Sequence, residues 1–337
     1  MDAIKTTDTN NIGIILDPNS FQNISDIVLK AESYNFHSAW VTELYRSSFE
    51  QLVHISSITN KIKIGSAVTL GFVRSPLSTM ISAMDIDEIS KGRLIFGLGS
   101  GAINTNRKWH GIENFDRPSE RISSLLKSLK IIEKSLNNSK DILYNDEFIN
   151  IDIKAFRRPF KPFREEIPIF IAGIGPKMTN IALNQSDGYI GHVVCSKDYI
   201  NSNIIPLKKK KFSTLSSIVL CAINKNKLQA IEDCKGTIAF YSTVKAYSEP
   251  FRQLGFEENI ISIRKHFFEG NIDGMISNVS NEMVEKFALV GNRDEVKEGM
   301  LEFKNFIDLP ILTAPHYYLN HEKLEIYQNE ILETFKF

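Results

Sequence analysis

KIKIGSAVTLGFVRSPLSTMISAMDIDEISKGRLIFGLGSG, residues 61–101, holds one complete strand–helix–strand unit. Its first run, KIKIGSAVT (61–69), is short, apolar and β-branched, which is strand composition. From Leu77 to Ile89 the apolar spacing becomes helical, and RLIFGLGSG (93–101) is a second strand that runs into glycines. Two strands joined by a helix form a crossover unit, and repeating that unit builds a parallel sheet. The same rhythm extends toward the N-terminus. NIGIIL (11–16) reads as a strand leaving through the turn residues Asp17-Pro18-Asn19-Ser20. Ile24, Ile27, Val28 and Ala31 then mark a helix over 21–34, SAWVTE (38–43) is a strand, and Phe49 to Ile58 is a helix.

Downstream, Asp116-Arg117-Pro118 predicts a capped helix start, with Ile122, Leu125, Leu126, Leu129 and Ile132 on one face. Residues 137–166 depart from the rhythm. YNDEFINI (144–151) alternates like a hairpin around Asn145-Asp146, and RRPFKPFREE (157–166) is a proline-bearing connector. Strands resume with PIFIAG (168–173), DGYIGHVV (187–194), STLSSIVLCAI (213–223) and LPILTAPH (309–316). The expected helices between and after them cover Pro176–Asn184, a turn near Tyr199, a long stretch from Lys227 to about Leu254, Asp294–Phe306 and the closing HEKLEIYQNEILETF. Residues 255–281 read as less regular. Eight strands alternating with helices predict an α/β fold, a (β/α)8 barrel in one domain over residues 1–337. The competing doubly wound sheet would want G-x-G-x-x-G after the first strand, and none is there.

The 337 residues are 42% apolar and 24% charged, a globular balance with length enough for a large core. Lys+Arg and Asp+Glu both number 40, so no basic excess points to a nucleic-acid partner. Cys195, Cys221 and Cys234 lie far apart without a C-x-x-C pair, which fits a reducing compartment. The start, MDAIKTTDTNN, is polar, and no apolar run approaches the ~18 residues of a membrane helix. A cytoplasmic protein acting on a small molecule, with no membrane or nucleic-acid partner, is the expectation.

In a barrel the chemistry collects where strands end. The exits are Thr42-Glu43-Leu44-Tyr45, Ser66-Ala67-Val68-Thr69, Gly99-Ser100-Gly101, Gly173-Ile174-Gly175-Pro176-Lys177, the region of His192, and Thr313-Ala314-Pro315-His316. Gly173 to Pro176 opens a helix, where free N–H groups and the dipole favour an anion, although an ordinary strand-to-helix turn reads the same way. Gly99-Ser100-Gly101 lacks the Gly-Lys-Ser/Thr of a P-loop. His316 and His321 are five apart without H-E-x-x-H, so no metal site is expected. No G-x-S-x-G elbow is present either. Lys208 to Lys211 reads as a solvated run. Trp109-His110 could line a pocket or fill core, and Glu43 is a carboxylate at a strand end.

Taken together, these exits resemble the luciferase-like monooxygenase superfamily, in particular its coenzyme F420-dependent methylenetetrahydromethanopterin reductases. The resemblance rests on AWVTE (39–43), KIKIGSAVTLGFVRSPL (61–77), MDIDEISKGRLIFGLGSG (84–101), IPIFIAGIGPKMTNIA (167–182), SDGYI (186–190) and FALVGNRDEV (287–296), in order along most of the chain. It implies a homodimeric (β/α)8 barrel that binds coenzyme F420, or alternatively FMN, at its C-terminal mouth. It implies a cis peptide at Ala67-Val68 behind the cofactor ring. Gly99, Ser100 and Gly101 would lie beside the ribityl and phosphate, and the phosphate itself would sit at Gly175, Pro176, Lys177 and Met178, following Gly173. Glu43 stands where the family has Asp. Ile15 and Ala102 replace two family carboxylates, which leaves Glu43, His110 and His192 as candidate catalytic proton carriers. The implied activity is hydride transfer between the deazaflavin and a small organic substrate such as a methylene-tetrahydropterin. An FMN-dependent monooxygenase or reductase, or a non-catalytic flavin-binding relative, is the alternative.

Overall fold

The computed structural model describes residues 11–211 and 213–337, so the opening MDAIKTTDTN lies outside it. Eight parallel strands close on themselves: β1 (Gly13–Ile15), β2 (Ser38–Val41), β3 (Lys63–Ser66), β4 (Leu94–Gly99), β5 (Ile169–Ala172), β6 (Gly188–Gly191), β7 (Thr214–Ile223) and β8 (Leu309–Thr313). Neighbours pair in chain order, and Gly13 opposite Ile311 joins β1 to β8 to complete the ring. This is the (β/α)8 barrel that the alternation predicts.

The period-2 pattern of each strand sets what fills the ring. Trp40, Ile95, Phe170, Ile190, Leu309 and Ile311 point inward and are buried together, with Ile15 and Ala67 nearer the top. Trp40 needs room that its neighbours provide: a Cβ on Gly65 would lie 2.5 Å from the indole. Its ring N–H donates to Ser38 Oγ at 2.8 Å, so the buried polar atom is satisfied.

The helices follow from apolar spacing and caps. α1 (Phe21–Ser33) buries Ile24, Ile27, Val28 and Ala31, and Ser20 accepts from Asn23 N at its start. α2 (Ser48–Ile58) and α3 (Pro76–Ile89) follow, the latter with proline in its first turn and Ser75 as cap. α4 (Pro118–Asn137) buries the five apolar residues its spacing predicted. Its expected cap is different, however. Arg117 takes the capping position with φ 44° and no side-chain capping bond, its guanidinium pairing with Glu147, while Asp116 pairs with Arg121.

Three further readings are corrected. The strand 61–69 is interrupted after Ser66 and resumes only as Thr69–Leu70, which pairs with Leu98–Gly99. α5 is Pro176–Gln185, and the long helix expected over 227–254 is split into α6 (Lys227–Ser242) and a short helix Ser248–Gln253. Arg264 stabilises that stop from a distance, donating to Ser242 O, Val244 O and Ser248 Oγ. The less regular stretch is helical, with α7 (Glu257–Phe268) and a short helix Ile272–Ser277 separated by Gly270-Asn271. α8 (Arg293–Lys304) and α9 (His321–Thr334) complete the outer layer. Ala288–Gly291, which no strand pattern in the sequence predicts, is a short strand pairing with Leu220–Ile223 beyond the ring. The hairpin reading holds, with strands Ile142–Asn145 and Asn150–Ile153.

Candidate functional site

Because all eight strands are parallel, their C-terminal ends share one mouth. On the inner surface just below it lie Ile15, Ala67, Val68, Ala172 and Ile218. The peptide bond between Ala67 and Val68 is cis. Val68 stands against the β4 exit, where a Cβ on Gly99 would come within 2.6 Å of Val68 Cγ2.

The β4 exit is held by buried Asn106. Its amide donates to Ser100 O at 2.8 Å and Ala102 O at 3.0 Å, and Gly101 turns the chain with φ +67°. Asn106 Oδ1 is buried without a partner. Ser100 and Ala102 are half-buried at this rim.

Glu43 is nearly covered, and both of its oxygens are engaged. Oε2 accepts from Leu70 N at 2.7 Å and from Arg74 Nη1 at 3.1 Å, and Oε1 accepts from Arg74 Nη2 at 2.5 Å. The carboxylate thus ties the β2 exit to the chain that follows the cis bond. Arg74 also lies over the Phe49 ring, 4.7 Å from its centroid.

Across the mouth, Gly173 N donates to Ile190 O and Gly173 O accepts from Tyr189 Oη at 2.6 Å. Gly175 is the capping residue of α5 in extended backbone, and no side chain caps that end. Added atoms at Gly175 Cβ would meet nothing within 4 Å. The N–H groups of Lys177 and Met178 therefore begin an uncapped helix beside open space, the donor set an oxyanion takes. These residues fit a cofactor phosphate. Lys177 itself is 83% exposed and lies 4.0 Å from Glu120, whereas Met178 packs back on the core.

The third side of the mouth is aromatic. His192, after β6, packs edge-on to Tyr241 with centroids 4.4 Å apart and beside Tyr247 at 4.6 Å. His316, after β8, lies 6.1 Å from Tyr241. Burial lowers the His192 imidazole to about 3, with neighbouring His316 adding to the effect. Desolvation likewise lowers His316 and raises the Tyr241 phenol well above its usual value.

Of the three candidate proton carriers, Glu43 and His192 flank the mouth, while His110 is exposed at the end of the turn Thr105–Trp109. Tyr241 and Tyr247 were not legible as site residues, because they come from the end of α6 and the turn after it, not from a strand exit. One available signal was Gly236 on α6: a Cβ there would lie 2.4 Å from Tyr317 O, marking a close approach to the β8 exit.

Among the described residues there is no cluster of three or more His, Cys, Asp or Glu able to hold a metal, and no helix long and apolar enough to cross a membrane.

Comparison with known proteins gives concordant results. A family model described as luciferase-like monooxygenase matches residues 4–308. The 5,10-methylenetetrahydromethanopterin reductase of Archaeoglobus fulgidus is 27% identical over 289 residues, covering 81% of this chain and 83% of its own. The solved coenzyme F420-dependent tetrahydromethanopterin reductase of Methanopyrus kandleri superposes with a TM-score of 0.77 at 22% identity, covering 97% of this chain and 99% of that one. The oxygenating constituent of the 3,6-diketocamphane monooxygenase of Pseudomonas putida, solved with FMN, gives a TM-score of 0.63 at 14% identity, with 97% of each chain covered.

Proposed function

Since the chain belongs to the luciferase-like monooxygenase family, we propose that it is a coenzyme F420-dependent oxidoreductase acting on a small organic substrate at the C-terminal mouth of its barrel. The observation that carries this reading is the uncapped, unobstructed start of α5 at Gly175, facing the same mouth as the Gly99–Gly101 exit. In this reading the backbone N–H groups of Lys177 and Met178 hold the cofactor phosphate. Gly99, Ser100 and Gly101 lie along its chain, and Ala67 and Val68 back its ring. When bound, the deazaflavin supplies hydride transfer, and the protein supplies orientation and shelter from water. The name of the archaeal relative makes a methylene-tetrahydropterin the first substrate to try.

Glu43, bonded to Arg74 and Leu70 N, serves in this reading to fix the wall beside the cofactor. Glu43→Gln then weakens cofactor affinity and leaves turnover at saturating cofactor within about tenfold. A fall of about 100-fold at saturation would instead make Glu43 the general acid. The phosphate cradle suits FMN as well, and the FMN-bound structural neighbour supports that second reading. Fluorescence titration of the purified protein with F420 and with FMN separates the two. Tight FMN binding without F420 binding refutes the first. The homodimer implied by the resemblance and the cytoplasmic location expected from the sequence belong to the same proposal, and analytical ultracentrifugation reads the former.

A further inference from the structure

His192, Tyr241, Tyr247 and His316 come from the β6 exit, the end of α6, the turn that follows it and the β8 exit, yet their rings form one wall. The wall is backed by Phe240 stacked on Tyr317 with centroids 3.6 Å apart. Thr237 Oγ1 accepts from His316 N at 2.9 Å and Tyr317 N at 3.2 Å, which locks α6 to the β8 exit. The hydrogen bonds also define proton positions. His316 Nδ1 lies 3.0 Å from Ala314 O and must donate to it, so Nε2 is the acceptor for Tyr241 Oη at 3.4 Å. Val194 N donates to His192 Nδ1 at 3.5 Å, which leaves the ring proton on Nε2. No hydrogen bond to that Nε2–H occurs among the described residues.

We propose that this wall is the substrate subsite, and that it takes an uncharged, carbonyl-bearing ring, whose oxygen accepts from His192 Nε2; the proposal rests on the mouth being the redox site described above. The rings in contact along this wall are imidazoles and phenols with Phe240 behind them, and none is a Lys, Arg, Asp or Glu. An anion would lose its hydration here without gaining a counter-charge, whereas a neutral flat ring gains aromatic contact and one directed hydrogen bond. Since burial keeps His192 neutral, its part is to orient the substrate by donating a bond, and the imidazole does not cycle a proton.

The test uses the full chain with its bound cofactor and a matched pair of probes, 2-acetylnaphthalene and 2-naphthoate, titrated by calorimetry. The ketone is expected to bind at least about tenfold more tightly than the carboxylate. His192→Phe keeps the ring but removes the donor. It is expected to weaken the ketone about tenfold while leaving the carboxylate, the cofactor affinity and the melting temperature unchanged. Tyr247→Ala, which removes one ring of the wall, is the second variant should His192→Phe fail to fold, and it is expected to weaken the ketone by a smaller factor. Equal or tighter carboxylate binding, absence of ketone binding, or a folded His192→Phe with unchanged ketone affinity overturns the proposal. Loss of cofactor affinity in His192→Phe also overturns it, because the wall would then belong to the cofactor. Ketone selectivity in a wild-type protein that binds neither F420 nor FMN supports the subsite and refutes the cofactor reading, so the two fail separately.

Discussion

At the N-terminal end of the barrel, charged side chains are bonded to backbone at strand after strand; at the C-terminal end, apart from the Glu43–Arg74 pair on Leu70 N, the α5 start is left open and the aromatic wall is neutral. Below the ring, Glu32 Oε1 accepts the N–H groups of Asn60, Lys61 and Ile62, which lead into β3. Arg93 donates to the carbonyls of Ser56, Thr59, Ile62 and Ser90. Glu133, Asp187 and Asp308 accept from Ile167 N, Ile169 N and Leu215 N at the approaches to β5 and β7. Above the ring, α5 has no side-chain cap, and the aromatic wall keeps a ring donor unpaired. A segment start fixed by a carboxyl or guanidinium group cannot drift, while a mouth with free donors has something to offer a ligand. The contrast separates what holds the ring shut from what the ring is for.

The largest expected effect falls on the floor. Arg93→Ala strands several carbonyls at once and is expected to lower unfolding free energy by about 3 kcal/mol. Denaturant titration measures it. A loss below about 1 kcal/mol would show that the floor bonds are replaceable by water.

Gly175→Val tests the opposite end. Its Cβ meets nothing, so stability should stay within about 1 kcal/mol of wild type. Affinity for F420 or FMN should fall at least about tenfold, near 1.4 kcal/mol, because the branched side chain crowds the α5 donors. Unchanged affinity for both cofactors would remove the cradle.

The two ends should also respond oppositely to pH. Burial, reinforced by Glu166 and Asp187, raises Glu133 to about 7. An acid whose folded pKa is raised holds its proton better in the folded state, so its contribution to stability is lost as pH rises from about 4.5 to 7. Glu133→Gln keeps the Ile167 bond and should abolish that loss, making the protein more stable at pH 8 by about 1 kcal/mol after allowance for solvent screening. His192 has a lowered folded pKa, so its contribution is present above about 6.5 and is lost as pH falls toward 3. His192→Phe should therefore flatten the acid side of the stability curve. Urea unfolding of both variants at pH 5 and pH 8 reads the two slopes, and slopes of the same sign would break the contrast.

The smallest effect belongs to Lys177→Ala. With the side chain 83% exposed, cofactor affinity is expected to change less than about threefold, in a salt-dependent way. A larger loss would move phosphate binding from backbone to side chain.

Much of the ring was legible because each strand announces itself locally. LIFGLG, IFIA and LPILT are apolar runs between turn residues, and the helix spacing at Ile24 to Ala31 needs nothing from elsewhere. The end of α6 was not legible, since the bonds that stabilise it come from Arg264, more than twenty residues away. Ala288–Gly291 is too short to stand out and exists as a strand because β7 offers it an edge. For the site, the glycine-bearing exits could be read as local chemistry. The aromatic wall could not, as Tyr241, His192 and His316 meet only after three separate segments fold back over one rim. Arg74, the partner of Glu43, was hidden for the same reason.

The ten-residue β7 overshoots its neighbours: it pairs with β6 through Ser217, with β8 through Leu220, and with the added strand from Leu220 to Ile223. Asn224 N then donates to Gly291 O at 2.9 Å, so the chain from 225 to 290 leaves and returns at one point, beside the ladder of Leu220–Ile223 with Ala288–Gly291. That segment is a cartridge seated on the overhang. Tyr241 and Tyr247 ride in it, while the hydrogen-bonded circle of the barrel is complete without it. Exchange of this one block between relatives would recast which molecules are admitted at the mouth and leave the closure of the ring untouched.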